Sequence, residues 1–88
     1  MLLEKAIKQA SEILKIHNIR THELDAQLIL SNIMSIKREF LITNCKEMIT
    51  KKIMDKYNVA IQRRVKREPV AYITGKKEFW SEDFLVNY

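Results

Sequence analysis

The 88-residue sequence contains few of the residues that form tight loops or covalent cross-links: one glycine, one proline and one cysteine. Loops that cradle phosphates or dinucleotides need several glycines, because their backbone approaches the ligand closely. The composition therefore excludes a glycine-rich loop of that kind within these residues. The single Cys45 cannot form an internal disulfide, so nothing favours a secreted, cross-linked scaffold, and we expect a cytoplasmic protein.

Long apolar runs are also missing. Charged residues follow the apolar start of the chain from Glu4 onward, and no window holds about 18 uninterrupted apolar residues. Neither a signal-peptide core nor a membrane span is predicted. A chain of this length forms one small domain at most.

Positive charge is concentrated in one part of the chain. Residues 1–45 carry six Lys or Arg against five Asp or Glu, residues 46–77 carry ten against three, and residues 78–88 carry three acidic residues alone. The three segments thus contribute +1, +7 and −3 to the net charge of +5. A local excess of this size favours an anionic partner.

Apolar residues recur with helical spacing over most of the chain. This spacing predicts helices over residues 2–17, 22–34, 37–43, 50–67 and 69–74. The apolar face of the first helix extends to His17, and Thr21 is expected to cap the second. Because the second helix is apolar nearly all round, we expect it at the centre of a bundle. Pro69 fits the first position of the last helix, and Gly75 fits its left-handed end.

The periodicity changes after Gly75. Two aromatic and β-branched runs, residues 78–80 and 84–86, flank three polar residues and predict a β-hairpin. The predicted fold class is therefore all-α, a small bundle of four to five helices over residues 1–75. A C-terminal hairpin over residues 76–88 would lead into a further domain.

The fourth helix separates its apolar residues from its charged ones. Its apolar face belongs to the core, while Val59 stands among the cations of the other face. A cationic helix face is often only a solvated surface, but the local excess of charge favours a contact with a partner. The candidate partner-binding residues are Lys51, Lys52, Lys56, Arg63, Lys66 and Arg67.

No catalytic, cofactor-binding or metal-binding residue is predicted. His17 and His22 lie five residues apart across a helix break, which is not the spacing that places two ligands on one helical face. Cys45 has no histidine or second cysteine near it in sequence. The carboxylates of Glu82 and Asp83 belong to the polar turn of the predicted hairpin, where solvated acidic residues are common.

Two segments resemble a known family. The segment from Arg67 to Asn87 reads REPVAYITGKKEFWSEDFLVN, which resembles the stretch ahead of the catalytic domain in bacterial release-factor glutamine methyltransferases, the HemK family. That family has a Glu-Pro-Val/Leu-Ala-Tyr-Ile-x-Gly run, then a Glu-Phe-aromatic hairpin and an Asp-Phe-x-Val-Asn strand. The run LDAQLIL, from Leu24 to Leu30, is similar to the pattern of the family's second helix.

The resemblance implies a helical bundle joined by the hairpin to a Rossmann-like domain that binds S-adenosylmethionine. The parent enzyme would methylate the glutamine of the Gly-Gly-Gln motif in class-I peptide chain release factors. The family's glycine-rich loop and Asn-Pro-Pro-Tyr motif do not occur in these residues, so its cofactor and catalytic residues map onto none of them. This fragment would recognise and orient the release factor, with the six cationic residues as candidate contacts.

The sequence leaves two alternatives open. The first is a basic helical domain that binds nucleic acid, which is disfavoured because no turn between helices carries glycine and the basic residues form no base-reading set. The second is a helical protein-interaction module fused to a different catalytic partner. The residues that follow the chain would distinguish this module from the methyltransferase.

Overall fold

The computed structural model describes residues 1–75, which form five helices. These are α1 (Leu3–Ile16), α2 (His22–Met34), α3 (Arg38–Thr43), α4 (Lys51–Val65) and α5 (Val70–Thr74). The predicted helical bundle is confirmed for this part of the chain, and its only β feature there is an isolated bridge between Leu2 and Met48. The predicted hairpin, residues 76–88, lies outside the described residues.

Helix α2 lies at the centre of the bundle and contacts all four of the other helices. Its residues Ala26, Ile29 and Leu30 are completely buried, as expected for a helix that is apolar nearly all round. Leu24, on its first turn, stays 42% exposed, so the covering of α2 is incomplete at this end. The rest of the core comes mainly from α1 and α4: Leu3, Ala6, Ala10, Leu14, Tyr57, Ala60 and Ile61.

Three helices end at residues in the left-handed conformation that are not glycine. Asn18, Ser35 and Arg67 have φ angles of 65°, 57° and 74° after α1, α2 and α4, and Gly75 ends α5 with φ 75°, as predicted. After α4, the backbone N–H of Glu68 donates to Arg63 and that of Arg67 donates to Arg64, the Schellman pattern that satisfies carbonyls at a helix end. The prediction that α4 extends to residue 67 is wrong, because the left-handed turn ends the helix at Val65.

Replacing Ser35 with glycine is expected to raise the free energy of unfolding by about 0.5 to 1 kcal/mol, because glycine adopts positive φ without steric cost. The same change at Ser31 is expected to lower it by about 1 kcal/mol or more, because Ser31 lies inside α2 and glycine disfavours helix interiors. Urea denaturation of both variants measures the difference. Equal effects of the two changes would contradict the backbone explanation.

Three local expectations need correction. Thr21 precedes α2 as predicted, but its hydroxyl donates to Asp25 Oδ2 at 2.8 Å and accepts no backbone N–H of the helix. His17 is exposed at the end of α1, where its Nδ1 donates to the carbonyl of Ile13 at 2.9 Å. Pro69 is the N-cap of α5 and not its first residue, because its backbone is extended, with ψ 143°.

Candidate protein-binding surface

All six of the predicted partner-binding cations are exposed on the surface. At about 100° of rotation per residue, positions 52, 56, 59 and 63 lie within a sector of about 60° on the outer face of α4. Lys66, the C-cap residue, continues this line. The basic strip is therefore formed by Lys52, Lys56, Val59, Arg63 and Lys66, and it extends over about 21 Å at 1.5 Å rise per residue.

Two of the predicted cations pair with acidic neighbours on the same helix or just after it. Lys51 Nζ lies 3.1 Å from Asp55 Oδ2, one turn further along α4. Arg63 binds the carboxylate of Glu68, with Nε 2.9 Å from Oε1. These hydrogen bonds from Arg63 hold the pKa of the Glu68 carboxyl below its ordinary value.

The three lysines of the strip have no carboxylate partner in the described residues. Lys52, Lys56 and Lys66 form no ion pair within residues 1–75. Arg67 points elsewhere, because its Nη2 donates to the backbone carbonyl of His17 at 2.8 Å. Since cations favour the C-terminal end of a helix, Arg67 stabilises the end of α1. The unpaired positive charge of α4 is therefore concentrated on three lysines.

Beside the strip, a buried ion pair joins α2 to the end of α4. Asp25 is only 4% exposed, and its Oδ2 accepts hydrogen bonds from Thr21 Oγ1 and Arg64 Nε, both at 2.8 Å. Arg64 Nη1 also donates to the backbone carbonyl of Glu68 at 3.2 Å. We call Thr21, Asp25, Arg64 and Glu68 the polar joint. It fixes the end of α4 against the start of α2, and therefore sets where α5 begins.

The polar joint was not predicted from the sequence. Arg64 lies seven residues after Tyr57, so the two share the inner face of α4, and a charge at such a position requires a buried counter-charge. The position of Arg64 on the inner face of α4 is therefore the feature of the sequence that indicates a buried ion pair. For Asp25, the signal was a carboxylate within a helix that is apolar nearly all round.

The two histidines lie apart in the part of the chain that the structure describes, and each forms its own hydrogen bond. His22 Nδ1 forms a hydrogen bond with Ser11 Oγ at 2.7 Å, while His17 bonds to its own helix. Residues 1–75 contain no set of three side chains placed to hold a metal ion. A cavity of about 110 Å³ between α1 and α4 has an apolar floor and amide side chains from Gln9, Asn58 and Gln62 among its lining.

None of the five described helices is both long enough and apolar enough to cross a membrane.

Comparison with known proteins identifies the family of this bundle. The family model described as the PrmC N-terminal domain matches residues 5–75, which is almost the whole described structure. No solved structure matches the chain.

Named relatives agree with this match. The release factor glutamine methyltransferase of Buchnera aphidicola subsp. Schizaphis graminum is 37% identical over 86 residues, 98% of this chain and 29% of that protein. The bifunctional methyltransferase of Rickettsia felis is 32% identical over 85 residues, 97% of this chain and 16% of that protein. The release factor glutamine methyltransferase of Leptospira interrogans is 32% identical over 81 residues, 92% of this chain and 28% of that protein. The chain spans less than a third of the length of these relatives, and it belongs to the family of N-terminal domains of release factor glutamine methyltransferases.

Proposed function

We propose that this chain is the substrate-recognition domain of an S-adenosylmethionine-dependent methyltransferase. The enzyme would act in the cytoplasm on class-I peptide chain release factors and would methylate the glutamine of their Gly-Gly-Gln motif. Its chemistry would occur in a methyltransferase domain joined to this bundle through residues 76–88. The observation that carries the proposal is the family match over residues 5–75.

The one glycine of the described residues is not placed to form a loop around the methyl donor. Gly75, the one glycine of the chain, ends a five-residue helix, and no neighbouring atom approaches within 4 Å of the position that a Cβ would occupy. A nucleoside-binding loop would instead bring glycine backbone close against the ligand. In this proposal the methyl donor binds in the methyltransferase domain, and the bundle binds the protein substrate.

Physical chemistry supports a separate recognition surface. A glutamine side chain offers few groups by which one protein can be told from another, so contacts far from the reacting amide must provide selectivity. Such contacts also hold the reacting group in place, provided that the surface making them is rigid. The basic strip supplies unpaired charge for this contact, and the polar joint holds the strip in a defined position relative to α5.

Charge reversal tests the proposal directly. The triple variant Lys52→Glu, Lys56→Glu, Lys66→Glu is expected to weaken binding of a bacterial class-I release factor by about tenfold or more, because opposed charges replace complementary ones. Isothermal titration calorimetry of the 88-residue chain with the release factor measures the dissociation constant. Circular dichroism establishes that the variant keeps its helices.

A matched control changes the net charge by the same amount elsewhere. Lys5, Lys8 and Lys37 are also exposed, and reversing these three is expected to leave the dissociation constant within about twofold, since exposed charges far from a contact are screened by salt. If both triple variants bind as the wild type does, or weaken equally, the strip is not the contact. If the wild-type chain fails to bind any class-I release factor, the proposed function is wrong.

A further inference from the structure

We infer that the basic strip binds a protein surface that presents an apolar side chain among carboxylates, and that Val59 contacts that apolar side chain. The inference rests on the proposed function and deepens it, because it states the chemistry of the partner and names a residue that determines specificity.

Val59 lies at the centre of the strip. Its four nearest neighbours on the helix surface are Asp55 and Lys56 on the preceding turn and Gln62 and Arg63 on the following one. Lys52 and Lys66 lie seven residues to either side. A single apolar side chain thus lies in line with four cations along α4.

The fold itself gives no packing contact that would account for this valine. Val59 is 63% exposed and lies outside the core and the apolar side chains packed against it, as far as residues 1–75 show. Valine is also stiff at χ1 and disfavours helices relative to unbranched residues. An exposed position in the middle of α4 is therefore one where valine slightly lowers helix stability, with no compensating burial in the described bundle.

The surrounding charges define the partner. Lys52, Lys56 and Lys66 form no ion pair within the described chain, so their charges are available to anionic groups of a partner. A nucleic-acid backbone would supply phosphates, but it would cover Val59 with charged groups and offer no apolar contact. Protein interfaces instead combine an apolar centre with a polar rim, and Val59 lies at the centre of a strip of otherwise polar and charged side chains.

The variant Val59→Ser tests the inference, with Ile42→Ser as its control. Ile42, on α3, is 62% exposed, against 63% for Val59. We expect Val59→Ser to raise the dissociation constant for a class-I release factor by about fivefold, the loss expected when burial of part of a valine side chain is removed. Ile42→Ser should leave it unchanged. The dissociation constant of Val59→Ser should depend on salt concentration as steeply as that of the wild type. The double variant Lys52→Glu, Lys56→Glu should show a shallower dependence.

The outcomes separate this inference from the proposed function. If Val59→Ser binds the release factor as tightly as the wild type, while the lysine variant is weakened, the inference is overturned and the proposed function stands. If the wild type does not bind the release factor, both are overturned. A titration with duplex DNA forms the third arm: binding tighter than to the release factor and unaffected by Val59→Ser would assign the strip to nucleic acid and overturn the inference.

Discussion

Replacing Asp25 with alanine is expected to lower the free energy of unfolding by about 3 kcal/mol, because removal of one partner from a buried ion pair leaves the other charge uncompensated. The side chain of Arg64 is only 19% exposed. The hydroxyl of Thr21 loses the same acceptor. Urea denaturation monitored by circular dichroism measures the change.

The control for Asp25 is the exposed pair on α4. Lys51 and Asp55 have side chains that are 91% and 62% exposed, so Asp55→Ala is expected to change the stability by less than about 0.5 kcal/mol. The double variant Asp25→Leu, Arg64→Met should recover most of the loss, since an apolar pair can replace a buried ion pair at little cost. A loss below about 1 kcal/mol for Asp25→Ala would show that Arg64 regains solvation, and that the ion pair does not hold the joint.

Replacing Tyr57 with alanine is expected to lower the free energy of unfolding by about 4 kcal/mol, the cost of deleting a large buried aromatic side chain. Tyr57 is fully buried between α4 and α2, and its hydroxyl donates to the carbonyl of Ala26 at 2.8 Å. The conservative change Tyr57→Phe removes only that hydrogen bond and is expected to cost about 1 kcal/mol. Thermal and urea denaturation distinguish the two effects.

The pH dependence of stability gives an independent test of the burial of Tyr57. Burial raises the pKa of its phenol above the ordinary value of 10.0. Above pH 10, the phenol of Tyr57 therefore loses its proton in the unfolded chain but keeps it in the folded chain. Stability should then fall by about 1.4 kcal/mol per pH unit through this group. The stability of the wild type minus that of Tyr57→Phe should be constant below pH 10 and fall above it. A constant difference through pH 11 would contradict burial of the phenol.

The helices were predictable because their signal is local. Every turn of α2 carries apolar residues, and its observed bounds coincide with residues 22–34 as predicted. The end of α4 was misplaced because the amphipathic pattern continues to Arg67, whereas the chain there adopts a left-handed turn closed by Glu68. A left-handed helix end is usually signalled in the sequence by glycine. Here the left-handed residue is Arg67.

The cationic surface was predictable as a set of residues but not as a site. Helical periodicity places Lys51, Arg63 and Lys66 on the outside of α4, yet it does not tell which of them is neutralised by a neighbour. The structure pairs Lys51 with Asp55 and Arg63 with Glu68. Once these two pairs and the contact of Arg67 with the end of α1 are accounted for, the unpaired charge on the outer face of α4 is that of three lysines in line with Val59.

The sequence by itself determined the helical class, the concentration of positive charge in residues 46–77 and the family, because each depends on residue types and short-range order. Only the tertiary structure decided which charges are buried. Asp25 and Arg64 are 39 residues apart in the chain, and no local pattern relates them. Their pairing depends on how α2 and α4 pack, since a carboxylate can remain buried only where the fold brings a counter-charge to it.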